Sequence, residues 1–185
     1  RLSRLEEALS CYAEAAALKP SSAEPLVNRG AALLALKRHE EALSSLDAAI
    51  AADAAALRAH INRGSALDAL GRHSEALAAF EKALELDPNS VETLVNRGTA
   101  LCALKRYEEA AADYERAYSL NPDIPYLPGN LLLYRLHACD WRHYERDVAA
   151  IEKGVREGRP AVLPFVHLTV SRSASAQLQC ARLSI

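Results

Sequence analysis

The tripeptide Asn-Arg-Gly occurs three times, at Asn28-Arg29-Gly30, Asn62-Arg63-Gly64 and Asn96-Arg97-Gly98, at a constant interval of 34 residues. Each copy sits in a longer matching segment, and residues 26–42 and 94–110 agree at fourteen of seventeen places. A fixed period of this length predicts a stack of like units. Each unit is too small to bury its apolar face alone and must lean on its neighbours, so the core is a strip that lengthens with every unit. A stack of this kind is usually a surface for holding other molecules.

The units are helical. Ala, Leu, Glu, Lys and Arg dominate the periodic segments, while Gly and Pro fall mostly between them. With the Gly of the tripeptide as the eighth place, full units run over 23–56, 57–90 and 91–124. The first helix of each carries apolar residues at helical spacing, such as Leu26, Leu33 and Leu36, and stops at Lys37-Arg38 or Gly71-Arg72. The second begins near Glu41, Glu75 or Glu109, where a carboxylate suits the positive end of the helix dipole, and ends at Asp87-Pro88 or Asn121-Pro122. Small residues recur at Gly30, Gly64 and Gly98 and at Ala42, Ala76 and Ala110. Leu46, Phe80 and Tyr114 fill one large core place, and Ala49, Ala83 and Ala117 let the next helix approach.

Small residues at the eighth, twentieth and twenty-seventh places, with Pro at the thirty-second, resemble the tetratricopeptide repeat over residues 4–124. The resemblance implies an all-α solenoid, a right-handed superhelix of helix-turn-helix units. Residues Glu7-Ala8, Tyr12, Ala15 and Pro20 fall one period before Glu41-Ala42, Leu46, Ala49 and Ala54, so 1–124 reads as a half repeat followed by three full ones. Asn130 lies one period after Asn96, and 127–139 followed by 141–157 reads as a degenerate closing repeat over 125–157. Asp140 is expected to cap its second helix and Trp141 to anchor it. Residues 158–185 then form a linker.

Charge and composition exclude several partner classes. The formal net charge is -2 and the signs are evenly mixed, without the concentrated basic stripe that nucleic acid requires. No apolar run approaches the roughly 20 residues that cross a bilayer. Cys11, Cys102, Cys139 and Cys180 are scattered and form no CxxC pair, which suits reduced thiols of a cytoplasmic protein. The sequence has no Met, so Arg1 is not a translation start, and the chain is expected to be a piece of a larger protein.

Within each first helix the second, fifth, sixth, ninth, twelfth and thirteenth places share one face. In tetratricopeptide solenoids that face lines the concave groove. The candidate site is therefore Val27 and Asn28; Arg58, Ile61, Asn62, Ser65 and Asp68; Val95, Asn96 and Thr99; and Asn130. Asn28, Asn62, Asn96 and Asn130 would form a ladder of amides, each offering donor and acceptor to an extended peptide backbone. Against this stands the reading that they bond only to neighbouring helices or solvent. Arg29, Arg63 and Arg97 stand where the family usually has Leu and read as packing residues whose guanidinium reaches an acid at the helix edge. Chaperone-binding members of the family hold a terminal carboxylate with basic residues at the second and fifth places. Here Val27, Ile61 and Val95 occupy the fifth, and Glu24 and Glu92 stand among the second, so such a clamp is not expected.

After Ile124 the pieces Gly129-Asn130-Leu131-Leu132, Cys139-Asp140-Trp141, Pro164-Phe165 and 177–182 together resemble the junction before the catalytic region of bacterial O-GlcNAc transferase-like proteins of the SPINDLY type. The resemblance implies a transferase moving N-acetylglucosamine from UDP-GlcNAc to Ser or Thr hydroxyls, with the repeats as its recruiting arm. No phosphate loop, GxSxG or carboxylate pair in a plausible pocket setting is present, so this chain is expected to hold no catalytic residue and no cofactor. His137, Cys139, Asp140 and His143 include metal-ligand types, but capping and anchoring account for them without a metal. A stand-alone adaptor and a scaffold that self-associates through exposed solenoid ends remain alternatives.

Overall fold

The computed structural model describes residues 2–19, 21–164, 166–167, 171 and 173–183; Pro20 and Phe165 lie outside them. Among the described residues the regular structure is helical throughout. The chain divides into two compact units, Arg1–Ala100 and Leu101–Ile185.

The first unit holds α1 (Leu2–Leu18), α2 (Ala23–Ala35), α3 (His39–Ala52), α4 (Leu57–Ala69), α5 (His73–Leu86) and most of α6 (Val91–Ala103). Neighbours in sequence pack on one another from α1 through α5, and α2 also packs on α4. Two local devices set the period. At the end of each first helix one residue turns left-handed, Lys37 at φ 59° and Gly71 at φ 74°. The following N–H then reaches back over the last turn, Arg38 to the Leu33 carbonyl and Arg72 to that of Leu67, both at 2.9 Å. At the end of each second helix an acid in extended backbone closes the next bend: the Asp53 carboxylate accepts the Ala55 N–H at 2.9 Å, and Asp87 that of Asn89 at 3.1 Å.

Large side chains seated on small ones join the two helices of a hairpin. Leu46 and Phe80 are completely buried. A Cβ at Gly30 would lie 2.6 Å from Leu46 Cδ2, and one at Gly64 would collide with the Phe80 ring. Only glycine admits these partners at this separation. Ala42, Ala49, Ala76 and Ala83 are likewise fully buried. On α1 the equivalent residues Ala8, Tyr12 and Ala15 are half-buried.

The second unit contains the end of α6, α7 (Tyr107–Leu120), α8 (Leu127–His137), α9 (Tyr144–Arg156) and α10 (Ala174–Arg182). The same two devices recur in it. Lys105 and Cys139 are left-handed, at φ 60° and 55°. Arg106 N–H bonds the Leu101 carbonyl at 2.9 Å, and Asp140 N–H that of Arg135 at 2.8 Å. Asn121 accepts the Asp123 N–H at 3.1 Å.

Beyond α9 the chain departs from the repeat. Tyr126 and Gly129, at the start of α8, donate their backbone N–H groups to the carbonyls of Pro160 and Ala161, at 2.6 and 3.0 Å. These are groups that a helix start leaves without internal partners. Val162 packs on Gly129 and Ala161 on Gly154, each where a Cβ would clash. Leu132, Ile151, Val155, Ala161, Val162 and Cys180 form the resulting core.

Two expectations fail in this region. Trp141 is 61% exposed and anchors nothing buried; its ring lies 5.5 Å from that of Tyr144. The second helix starts at Tyr144 rather than Trp141, and its N-cap is His143. Asp140 is occupied by Arg142, accepting its backbone N–H at 3.1 Å and its guanidinium at 2.8 and 2.9 Å. That clasp holds the Asp140 carboxyl far below the usual carboxylate range and keeps 140–142 in a turn.

Candidate functional site

The candidate residues of the first unit lie on three first helices, and their surroundings differ from rung to rung. On α2, Asn28 is exposed and Val27 half-buried. On α4, Ile61 and Asn62 are buried, at 2% and 8% exposure, and the Asn62 amide nitrogen has no hydrogen-bond partner. On α6, Asn96 is half-buried and donates from Nδ2 to Ser65 Oγ at 3.5 Å.

Repeat arithmetic explains the contrast between Asn62 and Asn96. The Asn96 amide, at the sixth place, meets the ninth place of the preceding unit. For Asn96 that place is Ser65, whose oxygen accepts; for Asn62 it is Ala31, which has no acceptor. Asn62 is thus a buried donor left open, a condition that most native polar groups avoid.

The hydroxyls along the same face have spent their protons. Ser65 Oγ donates to the Ile61 carbonyl at 3.1 Å and Thr99 Oγ1 to that of Val95, itself half-buried, at 3.0 Å. Ser65 Oγ, its proton given up, acts as an acceptor, as the Asn96 amide shows. Charge is balanced locally. Arg58 pairs with Glu92 at 3.3 Å, the second places of consecutive units, and Asp68 Oδ1 meets His73 Nδ1 at 2.7 Å. The face is polar, nearly neutral and rich in acceptors.

Asn130 lies on α8 in the second unit, half-buried, and its backbone N–H bonds the Tyr126 carbonyl at 3.0 Å. Arg63, set aside as a packing residue, donates from Nε to Asp47 at 2.7 Å with its side chain about three-quarters covered. Sequence reasoning missed the Arg58–Glu92 and Asn96–Ser65 contacts. The signal was present: opposite charges one period apart, and an amide 31 residues after a hydroxyl.

The remaining candidates of the tail do not come together. His137 stacks on Tyr107 with ring centroids 4.8 Å apart. Cys139 occupies the left-handed turn, and Asp140 is held by Arg142. Among the described residues no three His, Cys, Asp or Glu side chains are placed to hold a metal ion. All four cysteines are free thiols. No described helix is long and apolar enough to cross a membrane.

Models of the tetratricopeptide-repeat family match residues 1–56, 57–90 and 91–124. The chain belongs to the tetratricopeptide-repeat family. The Arabidopsis OM64 tetratricopeptide domain is 30% identical, with a TM-score of 0.60 over 62% of this chain and 95% of that one. The first tetratricopeptide domain of Spaghetti (RPAP3), solved bound to the HSP90 peptide SRMEEVD, is 25% identical, with a TM-score of 0.62 over 64% and 94% of the two chains. MamA from Desulfovibrio magneticus RS-1, residues 41 to the end, gives a TM-score of 0.75 at 20% identity over 83% and 86%. No curated protein sequence matches the chain. Membership of this family makes the chain a protein–protein interaction module.

Proposed function

We propose that the inner face of α2, α4 and α6 holds an extended peptide by its backbone, and that the chain is the substrate-recruiting repeat arm of a cytoplasmic UDP-GlcNAc-dependent protein O-glycosyltransferase. The observation that carries the peptide reading is the open Asn62 donor. The Asn62 nitrogen is covered in the free protein, so a guest carbonyl reaches it only where the face opens locally; a donor without a partner gains most from such a carbonyl, since the cost of leaving it unmade is already present in the free protein. Around it, the Ser65 hydroxyl oxygen offers an acceptor for a backbone N–H group, and the balanced charges make no demand on the guest's side chains. Asn28 continues the reading along α2, and Asn130 offers the same amide on α8 of the second unit. The hairpin of α8 and α9 closes the repeats as a fourth, degenerate unit over 125–157, and 158–185 leads toward a catalytic region. Support for the transferase comes from Cys139-Asp140-Trp141 and the residues from Pro164 to Arg182, which an adaptor has no need to possess.

The guest differs from the HSP90 peptide held by the Spaghetti domain, because the fifth places here are Val27, Ile61 and Val95 rather than cations. Two variants test the groove. Replacing Asn62 and Asn96 by Ala weakens binding to an unstructured peptide by about 1 to 3 kcal/mol in total. Ala31→Ser works in the opposite sense on the fold: it gives Asn62 an internal acceptor, so stability rises by about 1 kcal/mol while peptide affinity falls. Affinities unchanged in both, measured by fluorescence anisotropy on folded protein, reject the ladder. Gene sequence beyond Ile185 tests the transferase: a nucleotide-sugar fold supports it, and a nearby stop codon favours the adaptor.

A further inference from the structure

Trp141 is the only tryptophan of the chain, and it stands largely in water. A side chain of this type is highly buried on average, so its exposure leaves a large apolar face without a partner of its own kind. Its backbone is nevertheless held. The Trp141 carbonyl accepts the Tyr144 N–H at 3.2 Å, and the Asp140 carboxylate beside it accepts the Arg142 N–H at 3.1 Å. Tyr144, whose ring lies 5.5 Å from the indole and is inclined to it by 48°, packs on the core of Leu132, Ile151 and Val155. The indole is thus carried on a fixed turn and backed by an anchored ring. Trp141, Arg142, His143, Tyr144, Glu145 and Arg146 line an open hollow of about 490 Å³, within the usual range of small-molecule sites.

The cations of this hollow already have partners. Arg142 donates from Nε and Nη2 to Asp140 at 2.8 and 2.9 Å, and Arg146 donates from Nη2 to Glu115 at 3.2 Å and from Nε to Asp147 at 3.3 Å. A charged guest would have to compete with acids that are in place. A neutral hydroxyl would not, because it donates and accepts at once and needs one group of each kind nearby. The Arg142–Asp140 pair sets five N–H donors and a carboxylate side by side, the guanidinium well exposed, and Glu145 adds a further exposed acceptor.

An apolar ring beside matched donors and acceptors is the complement of a sugar. A pyranose with equatorial hydroxyls carries only axial C–H groups on its two faces and its hydroxyls at the rim. The faces suit the electron-rich plane of an aromatic ring, and the rim suits the polar pair. We infer that the Trp141 hollow binds a neutral saccharide, with a pyranose stacked on the indole and its rim hydroxyls bonded to Arg142, Asp140 and Glu145. The inference rests neither on the peptide groove nor on the transferase reading.

The single tryptophan makes the test direct. Titrating the full chain with cellotetraose, a neutral chain of such pyranoses, should move the indole emission in a saturable way, and calorimetry should return the same affinity. Trp141→Ala removes a side chain that anchors nothing buried, so the fold should stay intact by circular dichroism while calorimetric affinity falls about tenfold or more. Trp141→Tyr, which keeps a smaller ring, should fall between the two. No saturable change up to about 10 mM sugar overturns the inference. Equal calorimetric affinity in the wild type and Trp141→Ala overturns it too. An emission change produced by a proline-rich peptide and not by cellotetraose also overturns it, and marks the hollow as a protein contact.

Discussion

The eleventh place of the 34-residue unit is Leu33 and Leu67 in the first unit and Arg135 on α8, and all three side chains are buried. In the regular hairpins this place needs no partner beyond its apolar neighbours. On α8 the guanidinium is held by Asp147 of α9, itself 5% exposed, and by Glu115 of α7 at 2.8 Å. Arg146 adds a second cation to Glu115 at 3.2 Å. The arginines beside Glu115 hold its carboxyl below the usual range. The tenth place changes in parallel: Ala32 and Ala66 give way to Tyr134, whose ring meets Tyr114 edge-on at 4.9 Å and whose phenol is pushed up by burial. One backbone hairpin is thus stabilised in two ways, by small and large apolar residues in the first unit and by a polar network in the second. An apolar place can be rebuilt around a charge only if the counter-charge arrives with it.

The largest expected effect comes from removing that counter-charge. Asp147→Ala should cost about 3 to 5 kcal/mol, because Arg135 then stays buried with a single exposed acid. The pair Arg135→Leu with Asp147→Ala restores the residue type of Leu33 and Leu67 and should recover most of the loss. Chemical denaturation followed by hydrogen exchange in α8 and α9 separates the two cases, and a double variant no better than the single one would break the contrast.

An intermediate effect is expected in the first unit. Gly64→Ala presses a methyl group into Phe80 and should destabilise by about 1 to 3 kcal/mol. The same denaturation experiment, read in α4 and α5, measures it. The smallest effect concerns the shared turn. Gly71 and Cys139 adopt the same left-handed conformation, where a side chain is strained by about 1 kcal/mol. Cys139→Gly should therefore stabilise the α8 hairpin by about that amount, and Gly71→Ala should weaken the α4 hairpin equally. Melting temperatures that move together in both variants would show that the two turns are not equivalent.

Much of the regular part was legible in the sequence. The seating of Gly30 on Leu46 and Gly64 on Phe80 followed from the recurrence of small and large residues. The left-handed turns fell at the interval of the tripeptide. The site was legible as a face but not rung by rung. Asn28, Asn62 and Asn96 read alike, yet one is exposed, one is buried without a partner, and one reaches a hydroxyl on the helix before it. The difference lies in Ala31 against Ser65, a residue on another helix that a one-face reading does not consult.

The sequence by itself determined the period, the helix type, the turn positions and the large-on-small packing. These depend on contacts within a hairpin or between adjacent hairpins, and the same contacts recur every 34 residues. Tertiary structure alone decided the exposure of Trp141, the Arg135–Asp147 pair and the seating of Val162 on Gly129. Those contacts join residues without a periodic counterpart, and their free energy depends on which groups share a dry interior.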